Sequence, residues 1–177
     1  GGALFAIARE LGLPVRYIGT GESKELLEYA IGLVEGAWGR VAPAEAAFDR
    51  ALGENLAFWP ARWARSALMT SRRDWVGAVD ELRQAVELEG AEGWLRSEYA
   101  ASLLAADQLL AAAAQADTAI QLESDYPKPY LTLATASLRA ADTSRAVAAL
   151  TQFVARAPRG SELTRAREYL AALGAGR

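Results

Sequence analysis

The sequence predicts an all-α protein, a right-handed α-solenoid of four helix–turn–helix repeats with a C-terminal capping helix, preceded by a short helix–strand segment. Three observations predict this fold. A residue pattern recurs four times at a constant step, proline and aspartate stand where helices would begin, and an amphipathic run follows the last copy. A fixed period of roughly 20–50 residues is typical of solenoids, whose units bury apolar faces against their neighbours.

The recurring pattern begins with an alanine, followed four positions later by a residue that is large in three of the four copies. Three positions further on comes an alanine, replaced by Phe153 in the last copy, and then an aliphatic residue. Each copy lies 34 residues after the previous one. Small residues let two helix backbones approach closely, and large ones fill the space beside them. The copies are Ala44, Phe48, Ala51, Leu52; Ala78, Leu82, Ala85, Val86; Ala112, Ala116, Ala119, Ile120; and Ala146, Leu150, Phe153, Val154.

A 34-residue helix–turn–helix unit of this kind resembles the tetratricopeptide repeat, and the resemblance covers residues 25–160. The second half of the family motif matches well, as at Ala44 and Phe48 of the first unit and at Pro158, the final proline position. The first half is degenerate, because only Tyr130 of the last unit occupies its aromatic position. The resemblance implies an A helix and a B helix in each of four units, at 25–58, 59–92, 93–126 and 127–160.

Start and stop signals agree with these limits. Pro60 and Pro129 fall in the first turn of A helices, where a missing amide N–H costs little. Asp142 is a suitable N-cap for the last B helix. Residues 161–177 predict a capping helix, with Ser161 as its N-cap, and a frayed tail. The apolar stripe of this helix consists of Leu163, Ala166 and Leu170, with Tyr169 as a further candidate.

Residues 1–24 do not fit the 34-residue register and predict a helix, a turn and a strand. They resemble the C-terminal segment of the signal recognition particle receptor GTPase, whose Gly-x-Gly-Glu loop closes over the guanine base. The matching loop positions are Gly19, Gly21 and Glu22. Because the sequence has no Gly-x4-Gly-Lys-Ser/Thr motif, we expect no nucleotide binding by this chain alone. The alternative is a C-terminal fragment of a receptor-like GTPase with a tetratricopeptide extension, acting in protein targeting to membranes.

Composition excludes several classes of function. The chain has no cysteine and no histidine, so it lacks the nucleophile–histidine pairs and the thiolate or imidazole ligands that many active and metal sites use. We therefore expect no enzyme activity, no metal and no cofactor. A net charge of −3 argues against nucleic acid as a partner. No apolar run is long enough for membrane insertion. We expect a cytoplasmic protein, and a periplasmic one stays open because the N-terminus can be truncated.

The candidate binding surface follows from the family resemblance. In that register, unit positions 2, 5, 9, 12 and 13 face the concave side of the A helices. Aromatic side chains are common interface anchors, so Tyr29, Trp63 and Trp94 are the candidate anchors. The alternative is that these rings pack between adjacent A helices. The candidate surface residues are Tyr29, Leu33, Trp63, Trp94, Leu104, Lys128, Leu131, Leu138 and Arg139.

This surface predicts a non-enzymatic scaffold for protein–protein interaction, which binds an apolar or amphipathic peptide in the concave groove. A clamp for a terminal carboxylate is not supported, because the only asparagine, Asn55, falls on a B helix. A homo-oligomer that uses the groove for its own termini stays open as a second arrangement.

Three charged residues fall at positions that are normally buried in this register. They are Glu35 of the first unit and Arg62 and Arg65 of the second. An unpaired buried charge would cost several kcal/mol. Either Glu35 and Arg65 therefore pair between neighbouring A helices, or the second A helix is rotated and partly exposed, which its competing apolar stripe favours.

Overall fold

The computed structural model describes residues 23–174, and these residues form helices and turns without a strand. The predicted N-terminal helix and strand, the loop residues Gly19, Gly21 and Glu22, and the last three residues lie outside the described range. The helices are α1 (Lys24–Ala37), α2 (Val41–Glu54), α3 (Trp59–Ser71), α4 (Trp75–Leu88), α5 (Gly93–Ala105), α6 (Leu109–Leu122), α7 (Lys128–Arg139), α8 (Thr143–Arg156) and α9 (Ser161–Ala172). The all-α prediction is confirmed for this part of the chain.

The helices pack in sequential pairs, α1 with α2, α3 with α4, α5 with α6, and α7 with α8. The second helices of the pairs begin at Val41, Trp75, Leu109 and Thr143, so their starts keep the 34-residue step of the sequence pattern. The described residues divide into two compact units, 23–89 and 90–174. Each unit therefore contains two helix pairs, and the second also contains α9.

The turn inside each helix pair has the same backbone conformation. Its second-last residue before the second helix is left-handed, with φ of 72° at Gly39, 60° at Arg73, 62° at Asp107 and 61° at Ala141. The amide of the following residue bonds back into the preceding helix, as from Asp142 to the Ser137 carbonyl at 2.9 Å. This is a Schellman-type helix end, which satisfies carbonyls that the helix leaves without a partner. Glycine occupies the left-handed position only in the first turn.

Capping differs among the second helices. Asp142 accepts a hydrogen bond from the backbone N–H of Arg145 at 3.0 Å, which confirms its predicted cap. This bond, followed by one from the Ser144 hydroxyl, lowers the pKa of the Asp142 carboxyl. Asp74 caps α4 in the same way through the N–H of Gly77 at 2.9 Å. Ser161 does not cap α9, because it is already the first helical residue and Gly160 holds the cap position.

The core of unit 23–89 contains a cluster of three aromatic rings. Tyr29 of α1 is fully buried, and its ring centroid lies 6.0 Å from that of Phe48 and 5.4 Å, edge-on, from that of Phe58. Gly32 faces the Phe48 ring, where an added Cβ would lie 2.6 Å from Cδ1. The large ring on α2 therefore requires glycine on α1.

The core of unit 90–174 consists mainly of alanine and leucine. Leu95 and Leu103 of α5 are buried against the alanines of α6. The final helix, α9, packs on α8 and buries Leu163 and Ala166 of the predicted stripe, while Leu170 is half-buried. Its remaining faces are exposed over most of their length, which leaves space beside α7.

Candidate functional site

The structure corrects the predicted surface in unit 23–89. Tyr29 and Leu33 are buried in the core, so neither side chain can anchor a ligand there. The physical reason is the Phe48–Tyr29–Phe58 ring cluster, which encloses the tyrosine between α1 and α2. Trp63 of α3 is half-buried and keeps part of its surface exposed.

In unit 90–174, two of the predicted positive charges already have partners. The Lys128 ammonium lies 2.6 Å from a Glu98 carboxylate oxygen. The Arg139 guanidinium contacts the Asp107 carboxylate at 2.5 Å and donates to the Leu104 carbonyl at 2.9 Å. The ion pairs of Lys128 and Arg139 reduce the positive charge that each offers to a ligand. The two other predicted residues nearby are half-buried: Trp94, whose Nε1 donates to Glu92 at 2.7 Å, and Leu104.

A groove lies between α7, α8 and α9, and we call it the α7–α9 groove. Its volume is about 480 Å³. The floor is apolar and mostly buried, because α7 and α8 contribute core side chains and α9 adds one alanine. The floor residues are Leu131, Ala134, Leu138, Leu150 and Ala166. The groove thus brings together three of the predicted surface residues, Leu131, Leu138 and Arg139.

The rim of the groove is polar and comes largely from α9. Arg139 of α7 and Glu162, Arg165 and Tyr169 of α9 are all exposed. The Thr135 hydroxyl also lines the groove, but it donates to the Leu131 carbonyl at 2.8 Å. Sequence reasoning missed the three α9 residues, although their spacing of three and four places them on one helix face beside Ala166. The predicted binding surface lay on the A helices alone, and the capping helix was not considered as one wall of the groove.

The three charged residues predicted at buried positions find partners that the sequence did not indicate. Arg65 pairs with Asp49 at 3.0 Å and with Glu81 at 3.5 Å, and Arg62 reaches the other Glu81 oxygen at 3.5 Å. Glu81 itself is buried. The Arg40 guanidinium donates to Glu35 at 3.0 Å, so of the two alternatives the Glu35–Arg65 pair is wrong. Partial exposure is right, because both arginines are half-buried.

Residues 23–174 offer neither a metal-ligand cluster nor a membrane-crossing helix. No group of three or more aspartate, glutamate, histidine or cysteine side chains in this range could hold a metal ion. None of the helices in the same range combines the length and the apolar character that a membrane crossing needs.

Comparison with known proteins supports the fold. No protein-family model and no curated protein sequence matches the chain. Among solved structures, the chain is similar to MamA 41-end from Desulfovibrio magneticus RS-1, at 18% identity and TM-score 0.69, covering 93% of this chain and 87% of that one. It is similar to YrrB, described as a TPR protein with an unusual peptide-binding site, at 15% identity and TM-score 0.75, covering 94% and 86%.

The first TPR of Spaghetti (RPAP3), solved bound to the HSP90 peptide SRMEEVD, is also similar, at 17% identity and TM-score 0.63. That likeness covers 67% of this chain and 94% of the other. Identities this low show the fold alone. The described chain therefore has the helical repeat fold of tetratricopeptide proteins.

Proposed function

We propose that this chain is a non-enzymatic scaffold for protein–protein interaction, which holds an apolar or amphipathic peptide in the α7–α9 groove. The observation that carries the proposal is an apolar floor, with Leu131 and Leu138 half-buried beside Leu150, enclosed by exposed polar side chains. Binding sites commonly combine such an apolar floor, which takes apolar groups, with polar side chains that set the orientation of the ligand.

The size of the groove limits what it holds. Ligand pockets are typically about 300–1,000 Å³, and the groove of about 480 Å³ lies at the lower end of that range. This space suits a few anchoring side chains of a peptide, with the peptide backbone running along the rim. Two proteins of similar fold are described as binding a peptide or having a peptide-binding site, the RPAP3 repeat domain and YrrB, which supports the same role here.

The experiment uses the full chain as bait for a phage-displayed library of random 12-residue peptides. A selected peptide is then synthesised with a fluorescent label and titrated by anisotropy. We expect Leu138→Ala to weaken its binding about tenfold, because it removes apolar contact from the floor. The control is Leu110→Ala on α6, which removes the same atoms from a side chain that is 84% exposed and does not line the groove.

Circular dichroism checks that both variants keep the helix content of the parent chain. Equal binding by Leu138→Ala and Leu110→Ala would remove the α7–α9 groove as the site. The absence of any selected peptide would contradict the scaffold function itself.

A further inference from the structure

We infer that the α7–α9 groove selects an acidic amphipathic segment of a partner protein, whose carboxylate side chain pairs with Arg165. This inference rests on the proposed function and adds the chemical class of the ligand. It depends on which charges at the groove are already neutralised inside the protein and which are available to a ligand.

The cations of unit 90–174 differ in this respect. Lys128 and Arg139 are held by Glu98 and Asp107. Arg145 pairs with Asp117, and Arg156 lies over the Tyr130 ring at 4.8 Å while donating to the Ser124 carbonyl at 2.7 Å. Within residues 23–174, the Arg165 side chain has no such ion pair, hydrogen bond or ring contact. Arg165 is thus the groove cation whose charge is not yet compensated.

Glu162 is the acidic residue of the rim and lies one helical turn before Arg165. It does not form an ion pair with Arg165 in the described structure. Its charge is favourable where it is, because it lies in the first turn of α9, at the positive end of the helix dipole. The rim is therefore negative at Glu162 and positive at Arg165. We expect an acidic group of the ligand to bind near Arg165.

The apolar floor strengthens this preference. Ala166, next to Arg165, is buried, and Leu150 opposite it is buried as well. A ligand whose apolar side chains cover this floor excludes water from the groove, and a carboxylate–guanidinium contact is stronger in such surroundings than in open solvent. Tyr169, 56% exposed on the same face of α9, offers a further aromatic surface to the apolar part of the ligand.

Other exposed arginines do not combine these features. Arg167 is on the same helix, is exposed and does not line the groove. Because a step of two residues turns a helix by about 200°, Arg167 faces away from Arg165. It is therefore a matched control for a change of net charge on α9.

The experiment repeats the phage selection with the full chain as Arg165→Glu, as Arg167→Glu and unchanged. We expect the unchanged chain and Arg167→Glu to enrich peptides that place aspartate or glutamate next to apolar residues. Arg165→Glu should instead enrich lysine or arginine at that place. For a selected peptide, replacing its acidic residue by the amide should weaken binding to the unchanged chain about tenfold. The same replacement should strengthen binding to Arg165→Glu, because it removes a like-charge contact.

Two results would overturn the inference. One is a consensus of apolar residues without a charge preference, and the other is an equal effect of Arg165→Glu and Arg167→Glu. If binding then still depends on Leu138, the scaffold function stands and only the acidic selectivity is wrong. If no peptide is selected by any of the three proteins, both proposals fail.

Discussion

The two compact units use the same turn geometry but different packing. Unit 23–89 packs the rings of Tyr29, Phe48 and Phe58 against one another and holds two half-buried arginines around the buried Glu81. Unit 90–174 buries mainly alanine and leucine together with Tyr130 and Phe153, and it keeps an open groove. The left-handed turn residue occurs twice in each unit, at equivalent positions. The comparison teaches that backbone geometry follows the repeat, while the side chains that fill each helix pair can vary widely within it.

The largest expected effect tests the charged group of unit 23–89. Glu81 is buried and is the common partner of Arg62 and Arg65. Glu81→Ala leaves two half-buried guanidinium groups with less compensation, so we expect the free energy of unfolding to fall by about 3 kcal/mol. Urea unfolding followed by tryptophan fluorescence measures it, because four of the five tryptophans lie in this unit.

The matched control is Asp80→Ala, the preceding residue on α4. Asp80 is exposed and its contact with Arg83 is long, 3.8 Å, so we expect a loss of at most about 0.5 kcal/mol. Equal losses for Glu81→Ala and Asp80→Ala would show that the buried charges do not distinguish unit 23–89 energetically.

The second prediction tests the aromatic packing. A methyl group at Gly32 would lie 2.6 Å from Cδ1 of the Phe48 ring, which is itself buried. Gly32→Ala should therefore lower the free energy of unfolding by about 2 kcal/mol. Gly36→Ala is the control on the same helix, because its added methyl would meet Leu68 at an ordinary 3.6 Å and its helix propensity would improve.

The other repeats indicate how this clash can be relieved. The position of Gly32 is occupied by Ser66, Ala100 and Ala134, and the position of Phe48 by Leu82, Ala116 and Leu150. A side chain no larger than leucine therefore accompanies every non-glycine residue. In a Phe48→Leu background, Gly32→Ala should cost close to nothing. A cost that stays near 2 kcal/mol in that background would mean that the ring is not the cause.

The sequence was sufficient for the elements that depend on period and caps. The second helices start 34 residues apart, as the sequence pattern repeats, and Asp142 was recognised as a cap from its position alone, whereas Ser161 was wrongly expected to cap. Burial of side chains was harder, because it depends on the neighbouring helix. Tyr29 and Trp63 occupy the same repeat position, yet only the first is fully buried, because Phe48 and Phe58 enclose it.

The repeat pattern also did not predict which charged residues form ion pairs. Glu81 lies on α4 and Asp49 on α2, and both reach the arginines of α3 from helices that the pattern treated only as apolar partners. Only the part of the groove that lies on the last repeat was predicted. Leu131, Leu138 and Arg139 follow from the repeat register, but Arg165 lies after the last repeat, where the register has no position for it.

The smallest expected effect tests what the two units share, the left-handed turn. Ala141 has φ of 61°, a conformation that is strained for alanine because of its Cβ and unstrained for glycine. Ala141→Gly in unit 90–174 should therefore raise the free energy of unfolding by about 0.5–1 kcal/mol, and Arg73→Gly should do the same in unit 23–89. Asp107 is unsuitable for this test, because its carboxylate holds Arg139.

Ala140→Gly is the control for the turn, since its φ of −84° is ordinary for alanine. There the glycine only adds freedom to the unfolded chain, so the free energy of unfolding should fall slightly. Urea unfolding followed by circular dichroism compares the variants. Opposite signs at neighbouring positions 140 and 141 would show that backbone geometry, shared by both units, sets these stabilities; equal signs would contradict it.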